Sequence, residues 1–254
     1  MDQALVARGL APSRERAQAL IMAGAVRVEG RTARSASEPV TDDAAVAVEA
    51  GPRYVSRGGD KLAAALDRFG LDVAGRVALD IGASTGGFTD VLLRRGARRV
   101  HAVDVGRGQL DWRLRTDERV VVHEGVNARE GIELPEPVDL LVADVSFISL
   151  RLAVPPSFRH LRDGGDVVVL VKPQFEAGRE AVGRGGIVRD PAPRAAAVLA
   201  VADAFAGEGI APLAIAASEL PGREGNRELF LHARRGAAAA ARESLERQAA
   251  EAAG

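Results

Sequence analysis

Two charged residues close apolar runs in this 254-residue chain: Asp144 follows Val138–Ala143, and Lys172 follows residues 167–171. If those runs are strands of an open α/β sheet, ligands sit outside their carboxyl ends, so these side chains are the ones to examine first. A lysine ending so apolar a segment is expected to be partly desolvated, which disfavours its charged form and suits it to general-base work. Methyl transfer to a ribose 2'-hydroxyl needs such a group, because a poorly acidic proton must leave as the oxygen approaches a methyl-sulfonium in line. For Lys172 alone, a salt-bridged surface lysine is the plain alternative.

The second chemical signal is Asp80-Ile81-Gly82-Ala83-Ser84-Thr85-Gly86-Gly87-Phe88, which follows an apolar run and opens an amphipathic one. Glycines in a strand-to-helix turn let a ligand approach the backbone and the free N–H groups of the helix start. A dinucleotide fingerprint would want glycine at position 84, where Ser84 stands, and a P-loop would want lysine where Phe88 stands. Neither phosphate motif is met. Asp104 ends the next apolar run, at the position where a carboxylate takes ribose hydroxyls. Asp80, the glycine turn and Asp104 therefore suit the amino acid and nucleoside of S-adenosylmethionine, which carries no phosphate.

The elements needed to position these residues are legible in the periodicity. Short apolar runs at Val77–Ile81, 100–104, 120–123, Val138–Ala143, 167–171, 213–216 and 229–232 alternate with helical stretches, which predicts a mostly parallel sheet with helices on both faces. Little helical pattern separates the last two runs, so they are expected to pair antiparallel at the sheet edge. A helix is expected over 60–69, and the Ala-rich tail 236–254 reads as a surface helix. The glycine-rich stretch 174–189, directly after Lys172, could close over a substrate, with a merely flexible loop as the equal alternative. Before residue 52 the pattern differs: two short helices over 2–9 and 13–23, the second ending at Gly24, precede a hairpin with Val26 and Val28 and a further strand with Val46 and Val48. This predicts a small α+β domain over 1–52 with Gly51-Pro52 as its boundary, a joint over 53–56, and a Rossmann-like α/β domain over 57–254.

Composition bounds the function classes. The chain has no cysteine, which excludes disulfides, thiolate zinc sites and a cysteine nucleophile. No basic leader precedes an apolar segment and no run approaches a spanning helix, so a cytoplasmic protein without membrane contact is expected. His101, His123, His160 and His232 lack ligand spacing, and no metal is expected. Net charge is -1, so an interaction with nucleic acid would need clustered basic groups. Arg8, Arg14, Arg16, Arg27, Arg31 and Arg34 supply such a cluster, since guanidinium forks suit phosphates. Glu38, Asp42, Asp43 and Glu49 offset them, so one arginine face would have to bind.

Five motifs in order resemble a known family. They are Arg57-Gly58-Gly59-Asp60-Lys61-Leu62, the turn from Asp80 continuing to Thr89-Asp90, Asp144-Val145-Ser146-Phe147-Ile148-Ser149, Val171-Lys172-Pro173-Gln174-Phe175-Glu176 and Gly225-Asn226-Arg227-Glu228. Together they are similar to the TlyA/hemolysin-A-like family, which joins an S-four-type RNA-binding module to an FtsJ-like ribose methyltransferase of the Rossmann-like class I fold, with a seven-stranded sheet. The resemblance implies a Lys-Asp-Lys-Glu tetrad at Lys61, Asp144, Lys172 and Glu228, with Lys172 as base. It also implies S-adenosylmethionine as cofactor, cytidines of ribosomal RNA in one or both ribosomal subunits as substrate, and Asn127 as a contact to adenine. The first 35 residues resemble the S-four-type module. Other readings are a base methyltransferase, although both prolines of its Asp/Asn-Pro-Pro-aromatic motif are missing after Asp144, and a binding-only ribosome assembly factor. A membrane-lysing protein, which the family's hemolysin label suggests, finds no amphipathic basic segment here.

Overall fold

The computed structural model describes residues 1–22, 25–33, 35–41, 43–48, 53–222 and 225–254. Gly24, Arg34, Asp42, Glu49 and the expected boundary Gly51-Pro52 lie outside the described residues. The chain divides into a unit Met1–Arg53 and a unit Tyr54–Gly254.

The first unit holds α1 (Asp2–Ala7), α2 (Arg14–Met22), β1 (Val26–Val28), β2 (Arg31–Thr32) and β3 (Val46–Val48). The strands form an antiparallel sheet in the order β2-β1-β3. Glu29 and Gly30 both have positive φ, 48° and 77°, which is the backbone a two-residue hairpin turn requires. Leu5, Ala17, Ile21, Val26 and Val28 are its core.

The second unit is built on a seven-stranded sheet whose strands are β4 (Val77–Ile81), β5 (Arg99–Asp104), β6 (Val120–Glu124), β7 (Val138–Ala143), β8 (Leu161–Val171), β9 (Ile210–Ala217) and β10 (Leu229–Arg235). Their order is β6-β5-β4-β7-β8-β10-β9. Pairs among β4 to β8 are parallel, while β10 runs antiparallel to both β8 and β9. The last two strands thus pair antiparallel at the sheet edge as expected, with β9 outermost and β10 between β9 and β8. Wholly buried strands such as β4, Val-Ala-Leu-Asp-Ile, are what two covered faces demand.

The two faces have separate cores. On one, α3 (Arg57–Phe69) and α4 (Gly87–Arg94) pack Leu62, Leu66 and Leu92 against Ala78, Leu140 and Phe230. On the other, α6 (Leu150–Ala153), α8 (Pro191–Gly207) and α9 (Arg242–Ala253) cover Leu79, Leu141, Val169 and Leu231. The short helices α5 (Trp112–Arg115) and α7 (Pro173–Glu176) complete the unit.

Helix α3 starts at Arg57 instead of residue 60, because Gly58 and Gly59 occupy its first turn: a Cβ on Gly59 would stand 2.4 Å from Cβ of Tyr54. Tyr54, read from sequence as part of an interdomain joint, is buried in that core. The tail helix α9 is also more than a surface element, since Leu245, Ala249, Ala252 and Ala253 are buried and Gln248 Oε1 accepts from Ile215 N at 2.8 Å.

At the sheet end away from the glycine turn, buried Asp166 accepts from Arg76 Nη1 at 2.7 Å and from Arg234 Nε at 2.8 Å, and lies 2.8 Å from His232 Nε2. These bonds hold the carboxyl well below the usual carboxylate range in spite of its burial. They tie the residue before β4 to β8 and β10. Breaking a buried charge network leaves the partners uncompensated, at a cost of about 3 kcal/mol. Asp166→Asn should lower the midpoint of thermal unfolding by about 6 °C or more in scanning calorimetry; an unchanged midpoint would show that the network carries no net stability.

Candidate active site

Strand order reverses on either side of β4, with β5 beside it one way and β7 the other, and this reversal opens a crevice at the carboxyl ends of the strands. A cleft of about 660 Å³ lies there, within the range of small-ligand pockets. Its lining includes Lys61, the turn 82–85, Gly87, Phe88, Asp144 and Lys172, together with Gln174, Phe175, Asn226 and Glu228.

The turn after β4 is shaped by close approach. Gly82 has φ 81°, and a Cβ on it would sit 2.5 Å from the Asp144 carbonyl oxygen. Gly86, with φ 98°, admits the side chain of Leu114, which would lie 2.2 Å from an added Cβ. Gly86 therefore serves packing and stays outside the cleft. Ser84 holds a positive φ of 49° and donates its N–H to Asp104 Oδ2 at 2.7 Å. Asp104 Oδ1 accepts from Gly106 N at 2.7 Å, so both oxygens brace the turn while each keeps a further lone pair.

Asp80 is fully buried beneath this turn. Its Oδ2 accepts from Thr89 Oγ1 at 2.6 Å, while Oδ1 has no hydrogen-bond partner among the described residues. Burial pushes its carboxyl up to about 7, and the nearby carboxylates of Asp144 and Asp104 add to the effect. Three carboxylates thus crowd the ends of β4, β5 and β7, a field that favours a cation.

Two lysine–carboxylate pairs face the same cleft. Lys61 lies on the buried stripe of α3 with Leu62, Ala65 and Leu66, so its charge must be met inside the protein. Glu228, just before β10, meets it with Oε2 at 2.5 Å from Nζ, and the two side chains are 10% and 3% exposed. Lys172 Nζ stands 2.7 Å from Asp144 Oδ1 without hydrogen-bond geometry, and donates to Ser146 Oγ at 2.8 Å. All four residues of the expected tetrad line one cleft, each from a different segment.

Other expectations meet a different outcome. Asn127 is exposed and absent from the lining: Oδ1 accepts from Arg129 N at 3.2 Å and Nδ2 donates to Glu130 Oε1 at 3.0 Å, so its amide caps a local turn. Arg8 is used internally, donating to the carbonyls of Ala44 at 2.7 Å and Thr41 at 2.8 Å. Arg14 pairs with Asp2, Arg31 with Glu38, and Arg27 reaches Thr32 Oγ1. Arg16 is exposed. The histidines are less scattered than their spacing suggested: His101 Nδ1 and His123 Nε2 meet at 3.1 Å across β5 and β6, and burial lowers both pKa values. Among the described residues no group of three or more His, Cys, Asp or Glu could hold a metal ion.

Several residues in or beside the cleft escaped sequence reasoning, although their motifs were noticed. Phe147, 91% exposed and held at φ 65°, packs its ring 5.2 Å from that of Phe175. Asn226 is buried, accepting from Val188 N at 3.0 Å and donating to Gly186 O at 2.9 Å, which pins the end of the glycine-rich stretch 174–189. Glu176, buried and with its carboxyl pKa raised by that burial, accepts from Ser149 Oγ and Leu150 N at 2.6 Å each, which pins the start. The stretch expected to close over a substrate is therefore fastened at both ends.

The FtsJ-like methyltransferase family matches residues 54–235, and the S4 domain matches residues 2–46. A Mycobacterium tuberculosis protein named 16S/23S rRNA (cytidine-2'-O)-methyltransferase TlyA is 51% identical over 237 residues, covering 91% of this chain and 88% of that one. YqxC of Bacillus subtilis, described as a candidate rRNA methyltransferase, is 46% identical over 91% of this chain and 84% of its own. A solved structure of a candidate hemolysin from Streptococcus thermophilus superposes with a TM-score of 0.76 at 39% identity, covering 99% of this chain and 94% of its own.

The state of Asp80 makes a stability prediction. Its folded pKa lies above the unfolded value of 3.8, so between about pH 4 and 7 the native state keeps a proton that the unfolded chain has lost, and stability falls as pH rises through that window. Asp80→Asn keeps the Thr89 hydrogen bond and removes the titration. In ligand-free protein the variant's unfolding temperature, relative to wild type, should rise by about 3 °C or more from pH 5 to pH 8. Parallel pH curves for the two proteins would refute the buried, raised carboxyl.

Proposed function

Since the chain belongs to the FtsJ-like methyltransferase family and carries an S4 domain ahead of that fold, we propose that it transfers a methyl group from S-adenosylmethionine to a ribose 2'-hydroxyl of ribosomal RNA, in the cytoplasm. Cytidine is the nucleoside in the name of the Mycobacterium tuberculosis relative, and we extend it to this chain. The observation that carries the reading is the pair of lysine–carboxylate couples facing one cleft at the strand-order reversal.

The residues present fit the cofactor. The unpartnered Oδ1 of Asp80 and the carboxylates of Asp104 and Asp144 suit the ammonium and sulfonium of S-adenosylmethionine and its ribose, and the open turn at 82–85 holds no phosphate motif. Bound there, the cofactor supplies an electrophilic methyl group. The chain's own residues supply the rest. Asp144 holds the Lys172 amine toward the cleft, and Lys172 takes the proton of the attacking 2'-hydroxyl. Lys61, fixed by Glu228, donates to the ribose and keeps the oxygen in line. A base methyltransferase or a binding-only assembly factor would leave the buried Lys61–Glu228 pair without work.

Docking falls to the exposed guanidinium groups of the first unit. Arg16 is the first candidate, followed by the outward faces of Arg14, Arg27 and Arg31; Arg8 is committed to the fold.

Methyl transfer from labelled S-adenosylmethionine to ribosomal subunits from cells lacking the protein tests this directly. Wild type should give label that resists alkaline cleavage, and Lys172→Ala should lower kcat by about 100-fold or more while cofactor affinity stays within about threefold. Label at alkali-sensitive positions would move the reaction to a base. In the same assay Arg16→Glu should raise KM for the subunit by about threefold or more with kcat kept, because phosphate contacts position without chemistry; an unchanged KM would remove Arg16 from the docking face.

A further inference from the structure

The Gln174 carboxamide is a polar group of the cleft to which neither the described fold nor the methyl-transfer chemistry gives a use. Its Oε1 is buried and has no hydrogen-bond partner among the described residues, while the residue itself lines the cleft. A buried carbonyl oxygen left unpaired is costly, and such atoms in native proteins point to a missing partner. The residue is held in place: Lys172 is the N-cap of α7, Pro173 sets its first turn, and Glu176 fastens that helix to Ser149 and Leu150.

The strand order decides which partner this is. The glycine turn follows β4, whereas Gln174 follows β8, with β7 between them; two strand spacings place the end of β8 about 10 Å from the turn. Asp104, which would take the ribose hydroxyls of the proposed cofactor, ends β5 on the opposite side of β4. Gln174 therefore stands on the side of Lys172, two residues beyond it, where the nucleoside carrying the attacking hydroxyl must lie. A nucleobase is joined to the ribose carbon next to that hydroxyl, so the base of the same nucleoside comes within reach.

We infer that Gln174 is a specificity-determining residue that accepts a hydrogen bond from the exocyclic amine of the target nucleobase. This rests on the ribose methylation proposed above. A flipped-out base is read through its hydrogen-bonding edge. Cytosine offers an N–H donor at position 4, where uracil offers a carbonyl oxygen that would face Oε1 and leave it unpaired. Gln174 touches the base and stays outside the proton transfer, so its loss acts on selection.

The test offers full-length wild type, Gln174→Met and Gln174→Glu two substrates: ribosomal subunits with cytidine at the methylated nucleotide and subunits with uridine there. Labelled methyl transfer gives kcat/KM for each, and calorimetry gives S-adenosylmethionine affinity. Wild type should prefer cytidine by about tenfold or more, the discrimination one well-placed base contact delivers. Gln174→Met, of similar shape without the acceptor, should bring the ratio to about twofold or less, while Gln174→Glu, which keeps an acceptor, should retain the preference and cofactor affinity should hold in both. If wild type methylates but Gln174→Met keeps its preference, or loses cofactor affinity instead, this assignment falls alone. If wild type methylates neither substrate, the ribose reading falls and takes it along.

Discussion

Charge placed at the carboxyl ends of parallel strands is the constraint around which the second unit is arranged. Asp80, Asp104 and Asp144 end or follow β4, β5 and β7, and Lys172 follows β8. Such strands are apolar because helices cover both faces, so polar residues collect where the sheet runs out. Burial beneath the turn, with the neighbouring carboxylates of Asp144 and Asp104 adding to it, raises the Asp80 pKa toward neutral. Lys172 relieves Asp144 but leaves Asp80 with an unpartnered oxygen. A site with this field is strained in the direction that a cationic ligand relieves.

The second ion pair depends on topology in a different way. Lys61 and Glu228 are 167 residues apart, and they meet because β10 turns back antiparallel between β8 and β9. The register Leu229↔Val171 then sets the residue before β10 beside the residue after β8, so Glu228 and Lys172 open onto one cleft. The Asp166 network at the opposite sheet end holds the same strands in that register.

Loops complete the arrangement by fastening to each other. Glu176 ties the segment after β8 to the segment after β7, and Asn226 ties the end of the glycine-rich stretch to the approach to β10. Both are buried polar side chains with satisfied bonds, which makes the loops behave as extensions of the sheet. Phe147 and Phe175 meet at the cleft with their rings tilted to each other, and Phe147 holds a positive φ with its ring exposed. Such strain at a site is sustained only where neighbours over-determine it.

The strand runs from β4 to β8, the glycine turn and the strand-end residues Asp144 and Lys172 were legible in the residue pattern, whereas Lys61 and Glu228 were reached only through the family resemblance. The legible features are local: a period of two, a run of apolar residues, glycines where the backbone must turn. What each polar side chain does was decided only by tertiary structure, because hydrogen bonds are satisfied by whatever lies near in space. Asn127 became a turn cap and Arg8 a staple. His101 and His123, 22 residues apart, met across neighbouring strands. The place of β10 inside the sheet could not be read locally either, since an antiparallel strand has the same alternation at an edge as within. Gln174, Asn226 and Glu176 stood in view within their motifs, yet only the folded chain shows which of these polar groups is already paired and which still lacks a partner.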